Sequence, residues 1–117
     1  MTDFGRSVSD YDAVFTGDLG IIGQKILLDL LKEQNIDLAP IHQDCGILIY
    51  DDATQDTHAG GSGCGCSATV LAAHILPRIV SGEWKRVLFV PTGALLSKVS
   101  FNEGDSIPGI AHAVVIE

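Results

Sequence analysis

Basic residues are scarce in this chain: seven Lys and Arg stand against fifteen Asp and Glu, a formal net charge of −8 over 117 residues. A surface of that sign repels a phosphate backbone and offers no polybasic face to anionic lipid, so nucleic acid is set aside as a partner and electrostatic docking on a membrane is disfavoured. Aromatic residues are thin as well, at 6% against 46% hydrophobic overall. Any core must therefore be built from aliphatic side chains, alanine and glycine. No apolar run approaches the ~20 residues of a membrane-spanning helix, and the opening "MTDFGRSVSDYDAV" lacks the basic and apolar regions of a secretory signal. The expectation is a soluble chain. Cys45, Cys64 and Cys66 are the only cysteines, too few for a disulfide framework, and they read as free thiols in a reducing compartment. The length suits one domain, expected to span residues 1–117.

What is present is an alternation of strand and helix signals. "YDAVFTG" (11–17) is a short β-rich run ending in glycine, and residues 18–35 then switch to helical spacing, with Ile22, Ile26, Leu27, Leu30 and Leu31 assigned to one stripe. "CGILIY" (45–50) reads as a second strand, followed by the polar loop "DDATQDT". From Cys66 to Ser81 the chain is apolar on nearly every face, which predicts a helix buried on all sides, kinked near Pro77 and capped by Gly82. "KRVLFVPTG" (85–93) and "GIAHAVVIE" (109–117) read as two more strands. The expected class is α/β, a mixed sheet in the order β-α-β-α-β-β whose last pair is antiparallel. Four strands and two helices leave one side of such a helix uncovered, so a second copy or a missing half is expected to pack there.

The chemistry concentrates in "DTHAGGSGCGCSATVLAAHILP" (56–77). Glycines at 60, 61, 63 and 65 match neither common nucleotide-binding spacing. His58, Cys64 and Cys66 supply only three metal ligands where structural zinc takes about four, so no metal and no cofactor is expected. A cysteine at a helix start can be an activated nucleophile, or a small residue that lets the helix approach the sheet. His58, at the loop tip, can project into a cleft, and both functional and structural readings of it stay open. His42, His74 and His112 read as structural or surface residues. Asp51, Asp52 and Asp56 lack the pattern of a calcium loop and read as a solvated turn.

His58 with "AGGSGCGCSATVL", followed by a helix, "KRVLFVPTG" and "GIAHAVVIE", resembles the C-terminal half of the thiolase and ketoacyl-synthase superfamily. Within it, "YDAVFTGDLG", "DCGILIY", "HAGGSGCGCSA", "TGALLS" and "SIPGIAHAVVIE" are similar to the stage V sporulation protein AD family, which covers nearly the whole chain. The resemblance implies a five-layered duplicated fold whose central helices lie between two sheets, with this chain supplying most of the second half. It also implies that His58 stands for the thiolase histidine, Thr92 for a second cysteine that acts as acid and base, and Gly17 for an asparagine of the oxyanion site. Threonine is a poor proton carrier near neutral pH and glycine has no side-chain donor. The family therefore implies a non-catalytic protein that binds dipicolinic acid, or its calcium chelate, and supports its uptake into the developing spore. Membrane proteins of the same uptake system would be partners, and the location would be the forespore or spore, peripheral at the inner spore membrane. The ligand would meet His58, Gly60, Gly61, Ser62, Thr92 and Gly93. The rival implication is half of an acyltransferase whose nucleophile lies on another chain; the plainest is a module that only completes a sheet sandwich.

Overall fold

The computed structural model describes residues 5–51, 53–61, 63–93, 97–107 and 109–117. Ala13–Thr16 forms β1, and all four of its residues are buried, the pattern of a strand covered on both faces. It pairs in parallel with β2 (His42–Asp44) on one side and with β3 (Val87–Val90) on the other. β4 (Val114–Ile116) closes the sheet antiparallel to β3, as expected, and the strand order is β2-β1-β3-β4. Because side chains alternate across a strand, two core layers result. Ala13, Phe15, Val87 and Phe89 pack with Cys45, Cys66, Val70 and Ile75, while Val14 and Leu88 pack on the opposite side with Tyr11 and Leu38.

α1 (Gly20–Glu33) lies over the second layer and presents Leu28 and Leu31 to it. The single stripe expected from the sequence is in fact two. At ~100° per residue, Ile22, Ile26 and Leu30 fall on the side of the helix away from Leu28 and Leu31, and they are 64%, 55% and 54% exposed. The other layer is covered by a helical run over 66–80, built from α3 (Cys66–Val70), a π turn (Leu71–Ile75) and α4 (Leu76–Val80), while α2 is the short helix Cys45–Leu48. Pro77 has no N–H to bond the Ala73 carbonyl and its ring crowds that turn, so the expected kink takes the form of a widened turn just before the proline. Residues five apart would sit ~140° apart on a regular α-helix. The wide turn brings both Val70 and Ile75 into the core. Gly82, with φ 78°, follows the run in the left-handed conformation expected of a terminator.

As expected for so few covering elements, the helix at 66–80 is buried on one side only in this chain: Ala72, Ala73 and Leu76 are exposed, and Val80 is 87% exposed. Two expectations need correction. "CGILIY" is not a strand. The strand is the polar run His42–Asp44, and Cys45–Leu48 forms α2 instead, because the Asp44 carboxylate accepts from the Gly46 N–H and starts a helical turn. An additional helix, α5 (Lys98–Glu103), separates the last two strands, started by the Ser97 side chain on the Val99 N–H and ended by Gly104 at φ 76°. The order is therefore β-α-β-α-α-β-α-β, counting the 66–80 run once.

Candidate functional site

The three parallel strands end at one edge of the sheet, where α/β proteins place their ligands. Asp44, at the end of β2 and only 1% exposed, organises that edge. Its Oδ1 accepts from the Thr16 hydroxyl at 2.6 Å and the Leu19 N–H at 3.1 Å. Its Oδ2 accepts from the Gly20 and Gly46 N–H groups, both at 3.1 Å. One carboxylate thus serves the first turns of both α1 and α2, where the unpaired N–H groups favour negative charge. Because Thr16 donates to Asp44, the His42 Nε2–H donates to Thr16 at 3.0 Å, and Nδ1 accepts from the Gln24 amide at 3.1 Å. Burial holds the His42 imidazole below its ordinary pKa, with the nearby Asp44 charge opposing the shift.

A second carboxylate ties the loops together above the first. Asp18 Oδ1 accepts from the Thr92 hydroxyl at 2.6 Å, Asp18 Oδ2 accepts from the Gly63 N–H at 3.1 Å, and the Asp18 N–H donates to Thr92 Oγ1 at 3.2 Å. The loops after β1 and β3 and the glycine-rich turn therefore meet at Asp18. Two glycines make the approach possible. A Cβ on Gly17 would overlap the Thr92 side chain, and one on Gly20, whose φ is 68°, would overlap the Ala59 carbonyl that accepts from the Ile21 N–H.

Beside this junction lies a cleft of about 310 Å³ between the ends of β1 and β3. Its walls are mostly apolar, with Leu19, Leu27, Val90, Pro91 and Ile110, while Thr92 and Gly93 stand on its lip. The volume is at the small end of the range for small-molecule sites. A broader hollow of about 490 Å³ opens along the loop 53–58 and contains His58.

Of the residues singled out in the sequence, Thr92 and Gly93 line the cleft. Gly60 and Gly61 are not among its lining residues, and their N–H groups are bonded within the protein, to Thr57 O at 3.0 Å and Gly46 O at 3.4 Å. The His58 side chain is 87% exposed on a backbone with φ 52°, its Nδ1 3.3 Å from Asp56 Oδ1, and it is not among the cleft's lining residues. Ser62 and Asp52 lie outside the described residues. Burial, with Cys66 and Asp44 nearby, pushes the Cys45 thiol up to about 12, so it is no nucleophile near neutral pH. Among the described residues, no three His, Cys, Asp or Glu side chains converge where they could hold a metal ion. His74 is structural: its Nδ1 accepts from Arg78 at 2.8 Å and its ring meets Phe15 and Trp84 edge-on. Asp18 and Asp44 carry no motif that marks them in the sequence. The signal that could have found them is position, an aspartate closing each of two neighbouring parallel strands.

These features define an α/β protein with a small cleft at the carboxyl ends of its parallel strands, held open by carboxylate-to-loop bonds. The chain belongs to the stage V sporulation protein AD family, which matches it over residues 1–117, and so to a family of sporulation proteins. Stage V sporulation protein AD of Bacillus subtilis (strain 168) is 46% identical to it over 115 residues, 98% of this chain and 34% of that protein. The chain thus spans about a third of the length of that curated relative. No helix among the described residues is long and apolar enough to cross a membrane.

Proposed function

We propose that this chain is the ligand-binding part of a non-catalytic, thiolase-like sporulation protein whose cleft receives dipicolinate, favouring its neutral calcium chelate. The observation that carries this reading is the contact between Thr92 and Asp18 across Gly17. In the thiolase-like arrangement that the chain resembles, Thr92 and Gly17 stand where a proton-carrying cysteine and an oxyanion-holding asparagine would act. Here the Thr92 hydroxyl donates to a carboxylate at 2.6 Å, and position 17 has no room for a side chain. At these two positions neither proton transfer nor oxyanion stabilisation has a side chain suited to it.

A slot with apolar walls and a polar lip suits a flat ring that bears carboxylates. Leu19, Leu27 and Ile110 would face the pyridine ring, while the calcium of the chelate, open to further oxygen ligands, would lie towards Thr92 Oγ1 on the lip and His58 would close over the carboxylates from its exposed loop. Asp18 sets the charge preference. A free dianion would meet a carboxylate at the lip and gains few free N–H donors, because those of Gly60, Gly61 and Gly63 are engaged within the protein. The one-to-one calcium chelate carries no net charge and avoids that repulsion. On this reading the open side of the 66–80 run is covered by the other half of a two-sheet fold, and the complete protein works at the inner spore membrane with membrane proteins of the uptake system.

The test is calorimetric titration of the complete protein with dipicolinate, with and without calcium. Binding should be tighter with calcium, Thr92→Val and His58→Ala should each weaken it roughly tenfold, and Asp18→Asn should narrow the difference between chelate and free acid. Transfer of an acyl group from a thioester to a thiol by the same protein would overturn the non-catalytic reading.

A further inference from the structure

We infer that the outer face of α1 is a self-association surface, on which a second copy of this chain lays its own α1 antiparallel across a two-fold axis. Ile22, Ile26 and Leu30 form a continuous row at a spacing of four, each more than half exposed. Such a row is the ridge that packs into the groove of an identical helix, with the axes crossing at about −50°. Among the described residues, Leu28 and Leu31 already anchor the helix from the other side. This face also lies across the sheet from the open side of the 66–80 run, so a covering on one does not cover the other.

Charge selects the occupant. The chain carries −8, yet Gly20–Glu33 holds Lys25 and Lys32 against Asp29 and Glu33, a net charge of zero. Two acidic molecules can approach with least repulsion along such a neutral element. Lys25 and Asp29 flank the row, 76% and 63% exposed and bonded to each other at 2.7 Å. They stand two residues either side of Leu27, so a two-fold axis near that position sets Lys25 of one copy against the partner's Asp29, and the reverse. The flank is thus complementary to itself, the property that a symmetric dimer interface requires.

Sedimentation equilibrium of this chain over a range of concentrations provides the test. The expected result is a reversible dimer. Ile26→Glu should give a monomer with unchanged circular dichroism, because the side chain is solvent-facing. Lys25→Glu alone should weaken association roughly tenfold, and Lys25→Glu with Asp29→Lys should restore it, since the swap rebuilds the same pairs. Val80→Glu, on the other apolar face, should leave the dimer intact. A chain that sediments as a monomer throughout would overturn the inference, as would a dimer that survives Ile26→Glu or is lost with Val80→Glu. A failure of the charge swap to restore association would overturn it too. A full-length family protein that stays monomeric while its α1 amides resist hydrogen exchange would assign this face to its own chain and equally overturn the inference.

Discussion

Asp44 and Cys45 are neighbours in the chain and both are buried, but they differ in their hydrogen bonding. The carboxylate keeps four hydrogen bonds, whereas the thiol has no comparable set and is pushed up to about 12. Native protein treated with iodoacetamide near pH 8 should therefore be alkylated at Cys64, which is exposed, while Cys45 and Cys66 react only after denaturation, as peptide mass analysis would record. His42 makes a second residue-level expectation. Its folded-state pKa lies below the ordinary 6.5 because the ring is buried, so the native state prefers it neutral. As pH falls below 6.5, the unfolded chain binds the proton more readily than the folded one, and stability drops until the folded pKa is passed. His74 shifts in the same direction, by burial and by Arg78. Urea midpoints should accordingly decrease between pH 7.5 and pH 5.5, and His42→Asn, whatever its effect on absolute stability, should flatten that slope.

At the scale of elements, the 66–80 run shows how far periodicity reaches. A helix over this span is legible because nearly every residue type in it tolerates helix, but the apolar positions repeat at five as well as at three and four, and only the π turn makes that spacing one face. The two sides should respond differently to substitution. Ile75→Ala, at a fully buried position, should cost roughly 2–5 kcal/mol in urea unfolding, whereas Val80→Asp, 87% exposed, should change stability by less than about 0.5 kcal/mol. The strand after α1 lies elsewhere than its apolar signal for a related reason: a short apolar run does not distinguish strand from helix, and the actual β2 is polar because Thr16, Asp44 and His42 bond one another along the parallel pair. On the same grounds the sheet's central and closing strands are readable, while α5, capped by a serine and a glycine, has no apolar period to announce it. Of the candidate site, Thr92 and the glycine-rich turn are visible in their motifs, whereas the Asp18 carboxylate that joins them depends on a partner 74 residues away, and the Asp44 carboxylate that holds the strand ends on one 28 residues away.

For the molecule as a whole, the parallel strands, the cleft between their ends and two uncovered apolar faces belong to one arrangement. With two opposite sides unfinished, the chain presents surfaces that a larger assembly would close, in keeping with its spanning 34% of a relative's length. The Asp44 carboxylate sets how this assembly breathes. Its four donors come from the end of β1, the start of α1 and the start of α2, and releasing any one of them leaves a buried charge less fully bonded. Those segments are therefore expected to open as a single cooperative unit. Amide hydrogen exchange at Leu19, Gly20 and Gly46 should report one shared opening free energy, and Asp44→Asn should lower it at all three positions by the same amount. If the cleft takes a ligand as proposed, its traffic would be paced by the rupture of one ionic knot, and not by the separate wandering of its loops.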